Sequence, residues 1–190
     1  LPMIGGSSSL AGSSNIVIDT IDPSIDSVRS STANGTYKID DSISISIDFS
    51  EPVTVDTTSG TPTLELETGS TNRKAIYTSG SGSSNLVFSY TVQAGDTASY
   101  EVVVFDPYDP YANSHEESIL RVLDYASTSS LTLNSGMIKD SAGNNATLTL
   151  PTIDGWSSLA GSFIEIDSSV PNVLTDPITG QTFTLDTDGD

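Results

Sequence analysis

The sequence predicts an all-β protein, an antiparallel β-sandwich interrupted once by a loop and a short helix. Ser and Thr account for 56 of the 190 residues, and apolar residues alternate with them at period two, the pattern of strands with one buried face. The alternating runs recur about every ten residues with turn signals between them, the spacing of a sandwich. The acid is also biased, with 18 Asp against 7 Glu. Asp hydrogen-bonds its own backbone and disfavours helix interiors, so the charge belongs in turns.

The clearest strand is Ile43-Ser44-Ile45-Ser46-Ile47-Asp48-Phe49, with four apolar side chains on one face and polar ones on the other. Thr63–Glu67 and Lys74–Thr78 follow as shorter strands, and Leu86-Val87-Phe88-Ser89-Tyr90-Thr91-Val92 repeats the long pattern. Further runs lie at Tyr100–Phe105, Leu131–Leu133 and Ala146–Leu150. Asn34-Gly35, Ser59-Gly60-Thr61-Pro62, Gly80-Ser81-Gly82 and Ala142-Gly143-Asn144 are the turn signals between them. The interruption begins at Phe105-Asp106-Pro107-Tyr108-Asp109-Pro110-Tyr111, whose two prolines no ladder strand accepts. Ser114 and Glu117 then fit a capping box, with Ile119, Leu120, Val122 and Leu123 at helical spacing. A loop and one short helix over about 106–122 are the expectation.

A chain of this size buries enough surface to fold without covalent staples. It has no cysteine, which excludes disulfides, thiolate metal sites and Cys nucleophiles. The formal charge of −19, with 6 basic residues, excludes nucleic acid as a partner, because that affinity comes from Lys and Arg neutralising phosphates. There is no apolar run of about 18 residues and no basic leader around Leu1-Pro2-Met3-Ile4-Gly5, so neither membrane insertion nor a signal peptide is expected. Two carboxylates about 4 Å apart repel by roughly 4 kcal/mol at an effective dielectric of 20. Loops that collect Asp therefore either recruit a hard cation such as Ca²⁺ or serve solubility alone.

The two ends of the chain resemble each other. Leu1-Pro2-Met3-Ile4-Gly5, Leu10-Ala11-Gly12-Ser13 and Ile16-Val17-Ile18-Asp19 recur as Leu150-Pro151-Thr152-Ile153-Asp154, Leu159-Ala160-Gly161-Ser162 and Ile164-Glu165-Ile166-Asp167, at an offset of 149 and then 148 residues. Such a match predicts an excerpt of a tandem array. Residues 1–19 would end a preceding repeat, 20–167 would form one sandwich with its exit segment, and 168–190 would begin the next. Neighbouring repeats of the same chain are then the expected partners, and the protein is expected to be monomeric. Asp19 and Asp22 at the entrance and Asp167 at the exit put carboxylates where one domain hands over to the next. Ca²⁺ bridging them would turn the linker into a strut; the alternative is that these residues only cap turns.

Acidic clusters within the domain are Asp40-Asp41, Glu51, Asp96, Asp124, and Asp140 with Asn144. The ordered motifs Tyr37-Lys38-Ile39-Asp40-Asp41-Ser42-Ile43, Phe49-Ser50-Glu51-Pro52-Val53, Val92-Gln93-Ala94-Gly95-Asp96-Thr97 and Ile138-Lys139-Asp140-Ser141-Ala142-Gly143-Asn144 resemble the bacterial immunoglobulin-like extender domains of giant repeats-in-toxin (RTX) adhesins. The resemblance covers residues 16–167 except about 100–122. It implies an immunoglobulin-like, cadherin-like sandwich, secreted by a type I system to the bacterial surface. There Ca²⁺-rigidified repeats hold ligand-binding regions out for cell adhesion and biofilm formation. It implies further that Asp19, Asp22, Asp41, Glu51, Asp140 and Asn144 lie near a domain end and share junction ions, and that Asp96 and Asp124 form a second site.

The chain departs from that family at 100–122. Such an insertion either grafts recognition onto the scaffold, with Tyr108 and Tyr111 suited to stacking on a glycan or a protein ligand, or packs against its own sandwich. The terminal Leu185-Asp186-Thr187-Asp188-Gly189-Asp190 begins a Ca²⁺ loop pattern but lacks its distal Glu. No catalytic role is expected. The single His115 neighbours Glu116 and Glu117 without facing them on a helix, and there is neither a nucleophile elbow nor a phosphate loop.

Overall fold

The computed structural model describes residues 3, 6, 7, 18–98, 122–168, 172–175 and 182–185. In chain order the strands are β1 (Ile25–Ser30), β2 (Gly35–Tyr37), β3 (Ser42–Asp56), β4 (Thr63–Glu67), β5 (Arg73–Ser79), β6 (Ser83–Thr91), β7 (Thr97–Ala98), β8 (Asp124–Tyr125), β9 (Leu131–Thr132), β10 (Met137–Lys139), β11 (Ile164–Asp167), β12 (Asn172–Thr175) and β13 (Thr182–Leu185). The one helix among the described residues is a 3₁₀ turn at Leu159–Ser162.

The main sheet runs in the order β1-β3-β6-β5-β4-β8, entirely antiparallel, with β10 added to β3 and β9 to β4. A smaller sheet places β11 between β2, to which it is parallel, and β7, to which it is antiparallel. β12 and β13 form a separate antiparallel pair. The expected all-β, antiparallel architecture is therefore observed, with one parallel pair in it.

Alternation in the sequence becomes burial in the structure. Ile43, Ile45 and Ile47 are fully buried and Phe49 nearly so, while the residues between them are half-buried. Leu86, Phe88 and Tyr90 on β6 do the same opposite them, in register Ile47↔Leu86, Ile45↔Phe88 and Ile43↔Tyr90. Ile164, Ile166 and Ala98 from the small sheet belong to the same core as these side chains. Each large apolar side chain in it contributes about 1.5–3 kcal/mol. The β5–β6 turn follows its glycine signal: Gly80 and Gly82 both have positive φ, and a Cβ on Gly80 would lie 2.1 Å from the Asn85 carbonyl oxygen.

The run Ala146–Leu150, expected as a strand, joins no ladder. Its amides donate to unrelated partners: Ala146 to Ile138, Thr147 to Pro23 and Leu150 to Thr128. The side chains still alternate in burial, so period two marks an extended chain over a core without requiring a paired neighbour. The expected strand Tyr100–Phe105 and, of the loop and helix expected over about 106–122, all but Val122 lie outside the described residues; Val122 is not helical.

Candidate metal centre

The long strand β3 does not pair evenly. Its partnership with β6 jumps from Asp48↔Asn85 to Val53↔Ser83, five residues against two. The bulged stretch contains Pro52, which has no N–H to give to a ladder. The Ser50 amide donates instead to the Ser24 carbonyl at 2.8 Å, and Ser50 Oγ accepts from the Ser24 amide at 3.0 Å. The bulge carries Glu51 off the regular ladder, half-buried.

β10 aligns with the end of β3 in the register Ile138↔Val55 and Lys139↔Thr54. Continuing that register brings Asp140 beside the bulge. Its turn is fixed by its own side chain: Asp140 Oδ1 accepts from the amides of Gly143 (2.6 Å) and Asn144 (2.8 Å), and Oδ2 accepts from Asn144 Nδ2 (2.6 Å). Gly143, at φ 99°, supplies the left-handed step the turn needs. Asn144 Nδ2 also donates to the backbone carbonyl of Asp19 at 3.3 Å. The entering chain is held again where the Thr147 amide meets the Pro23 carbonyl at 2.8 Å.

Asp19, Glu51 and Asp140 each offer a carboxylate oxygen, and these oxygens lie within 4.8 Å of one another. Their surroundings act on them in opposite directions. Partial burial, then the charges of Asp19 and Asp140, raise the Glu51 carboxyl above its ordinary value. Burial also pushes Asp140 upward, but the Asn144 side chain and the amides of Asn144, Gly143 and Ala142 outweigh it and hold that carboxyl low. An all-oxygen set of clustered carboxylates suits a hard divalent cation, Ca²⁺ above softer metals.

Not all of the expected ligands converge. Asp22 is exposed and outside the cluster. Asp41 precedes β3 at its other end, about 30 Å from Glu51 at about 3.3 Å per residue, and its Oδ2 accepts from the Lys38 amide. Asp41 therefore cannot share an ion with the Glu51 cluster of its own domain. Asp167 ends β11 opposite Thr97, with its neighbour Ser168 accepting from the Gly95 amide.

Asp96 and Asp124, expected as a second site, have their carboxylates engaged by protein donors. Asp96 is fully buried, ion-paired to Arg73 Nε at 2.7 Å, and accepts from the Tyr90 hydroxyl at 2.5 Å and the Gln93 amide at 2.8 Å. Burial, together with this hydrogen bond to the anion, raises the Tyr90 hydroxyl well above its ordinary value. Asp124, also buried, accepts from the Tyr125 and Asp154 amides, both at 2.9 Å. Burial there outweighs those amides and raises the carboxyl. Arg73 is the partner that sequence reading missed, since nothing local links it to a residue 23 positions on. Tyr108 and Tyr111 lie outside the described residues.

Fold and site together define an all-β protein of antiparallel sheets carrying a cluster of three carboxylates able to hold a metal ion. Comparison with protein-family profiles, with curated proteins and with solved structures gives no match.

Proposed function

We propose that this chain is a Ca²⁺-binding, Ca²⁺-rigidified extender domain of a large bacterial surface adhesin. In this reading it is exported by a type I system and spaces ligand-binding regions from the cell for adhesion and biofilm formation. The observation that carries the reading is the convergence of Asp19, from the entering chain, on Glu51 and Asp140 of the sandwich. Without an ion the three carboxylates repel, and the entering chain is held mainly by hydrogen bonds. With Ca²⁺ bound, Asp19 is tied to both β3 and the β10 turn, and the angle between the domain and what precedes it is fixed.

The repeat supports the same reading. Ile18 is 84% exposed, whereas its counterpart Ile166 is fully buried between two neighbouring strands. Ile18 is thus an apolar side chain whose equivalent has a complete core around it, as the last strand of a preceding sandwich would have. Asp167 is the counterpart of Asp19 and would serve the next repeat in the same way.

Extracellular modules of this kind bind Ca²⁺ at about 10⁻⁴–10⁻³ M. Calorimetric titration with CaCl₂ tests the assignment: binding in that range is expected, weakened at least tenfold by Glu51→Gln, which removes charge without altering the Asp140 turn. Binding unchanged by that substitution would move the ion elsewhere.

A further inference from the structure

The sole tryptophan of the chain, Trp156, is 79% exposed. It borders a cavity of about 330 Å³ whose walls also include Val122, Asp154, Ala160 and Phe163. The Trp156 and Phe163 rings meet edge to face, with centroids 6.2 Å apart at 67°, so they form an angled aromatic corner. Asp154, the acidic residue on the cavity wall, is exposed.

The corner is held from beneath. Asp154 and Phe163 both adopt left-handed backbone conformations, at φ 59° and 52°, which non-glycine residues seldom take. The Asp154 amide is anchored on the buried Asp124 carboxylate. A Cβ at Gly161 would lie 2.8 Å from the Trp156 carbonyl oxygen, so glycine is what lets the chain close there.

The internal repeat separates scaffold from corner. Leu150–Ser162 and Leu1–Ser13 are identical at all but three positions, where Thr152, Asp154 and Trp156 stand against Met3, Gly5 and Ser7. Phe163 falls where the other copy has Ser14-Asn15. The framework residues Gly155, Leu159, Ala160 and Gly161 are the same in both. In sequence, then, an acid and two aromatic residues distinguish this copy from the other, and all three line one cavity.

We propose that this corner is a binding site for an organic cation of the quaternary-ammonium kind. The negative ring faces attract a large, weakly hydrated cation, and the carboxylate adds a point charge at the rim. The net charge of −19 favours cations in the same place and disfavours anionic ligands. Asp154 is the one acidic residue on this wall, too few oxygen ligands for Ca²⁺, and it is not part of the carboxylate cluster.

Because Trp156 is the only indole, its fluorescence reads the site directly. Titration with tetramethylammonium chloride at constant ionic strength should give a saturable change that NaCl does not. The uncharged isostere 3,3-dimethyl-1-butanol should bind more weakly by about fivefold or more, as should the cation to Asp154→Asn and to Phe163→Ala. No saturable change, or equal affinity for the uncharged isostere, would overturn the proposal. So would a blue emission that reddens only when residues 99–121 are deleted, since the cavity would then be filled by the chain itself. If a variant loses its melting transition, the comparison of the two ligands on the unaltered protein decides alone.

Discussion

Asp96 shows how a single acidic residue reads one way in sequence and another in the fold. In the Gly95-Asp96-Thr97 turn it has the look of a cation ligand; folded, it neutralises Arg73 and receives the Tyr90 hydroxyl within the core. Asp96→Asn removes the charge that balances Arg73, and because that arginine is 25% exposed the loss is expected at about 2–3 kcal/mol, below the range for fully buried pairs. Tyr90→Phe should cost about 1–2 kcal/mol, since Asp96 keeps its other partners. Urea melts of the two variants check both. Glu51 and Asp140 make opposite contributions to pH dependence. Glu51 is raised in the folded state, so in Ca²⁺-free solution the folded protein binds its proton more tightly, and stability falls as pH rises from 4.5 through the raised value. Asp140 is lowered, so its contribution is present above its ordinary 3.8 and is lost as pH falls through the folded value. Glu51→Gln should therefore leave the Ca²⁺-free protein at least as stable near neutral pH, and Asp140→Asn should destabilise it, as thermal melts in chelator would report.

Elements were legible to the degree that their pattern was local. The alternation of β3, β4 and β6 can be read residue by residue, because each strand buries one face whatever its partner is; β5 is less plain, since Ala75-Ile76-Tyr77 are consecutive apolar residues of which Ile76 is exposed. The short strands β7, β8 and β10 have two or three residues each and carry no period; tertiary pairing alone defines them. Ala146–Leu150 fails in the reverse sense, with an alternating pattern but amides that go to three different partners. The continuation of β3 through Pro52 was likewise hidden, since a proline inside a run argues against a strand unless a bulge accommodates it. That bulge is what presents Glu51. The glycine turn between β5 and β6 can be tested alone. Gly80→Ala puts a side chain at φ 106° against the Asn85 backbone, and equilibrium unfolding should show a loss of more than about 1 kcal/mol.

At the scale of the whole molecule, the acidic composition resolves into separate roles. Some Asp hold turns through their own side chains, as Asp56 does with the Thr58 amide and hydroxyl, which lower its carboxyl. Asp96 balances a cation inside the core. Asp19, Glu51 and Asp140 gather at the entrance of the domain. These three expected ligands converge because the β3–β10 pairing sets the Asp140 turn beside the Glu51 bulge, while Asn144 donates to the Asp140 side chain and the Asp19 carbonyl. Asp41 does not, because motif order carries no information about which end of a long strand a residue occupies. The claim that joins these scales is that Ca²⁺ at the entrance cluster stiffens and stabilises the domain, and the melting temperature tests it most directly. Millimolar CaCl₂ should raise it markedly in the unaltered protein and much less in Glu51→Gln. A rise no greater than that given by NaCl of equal ionic strength would contradict it.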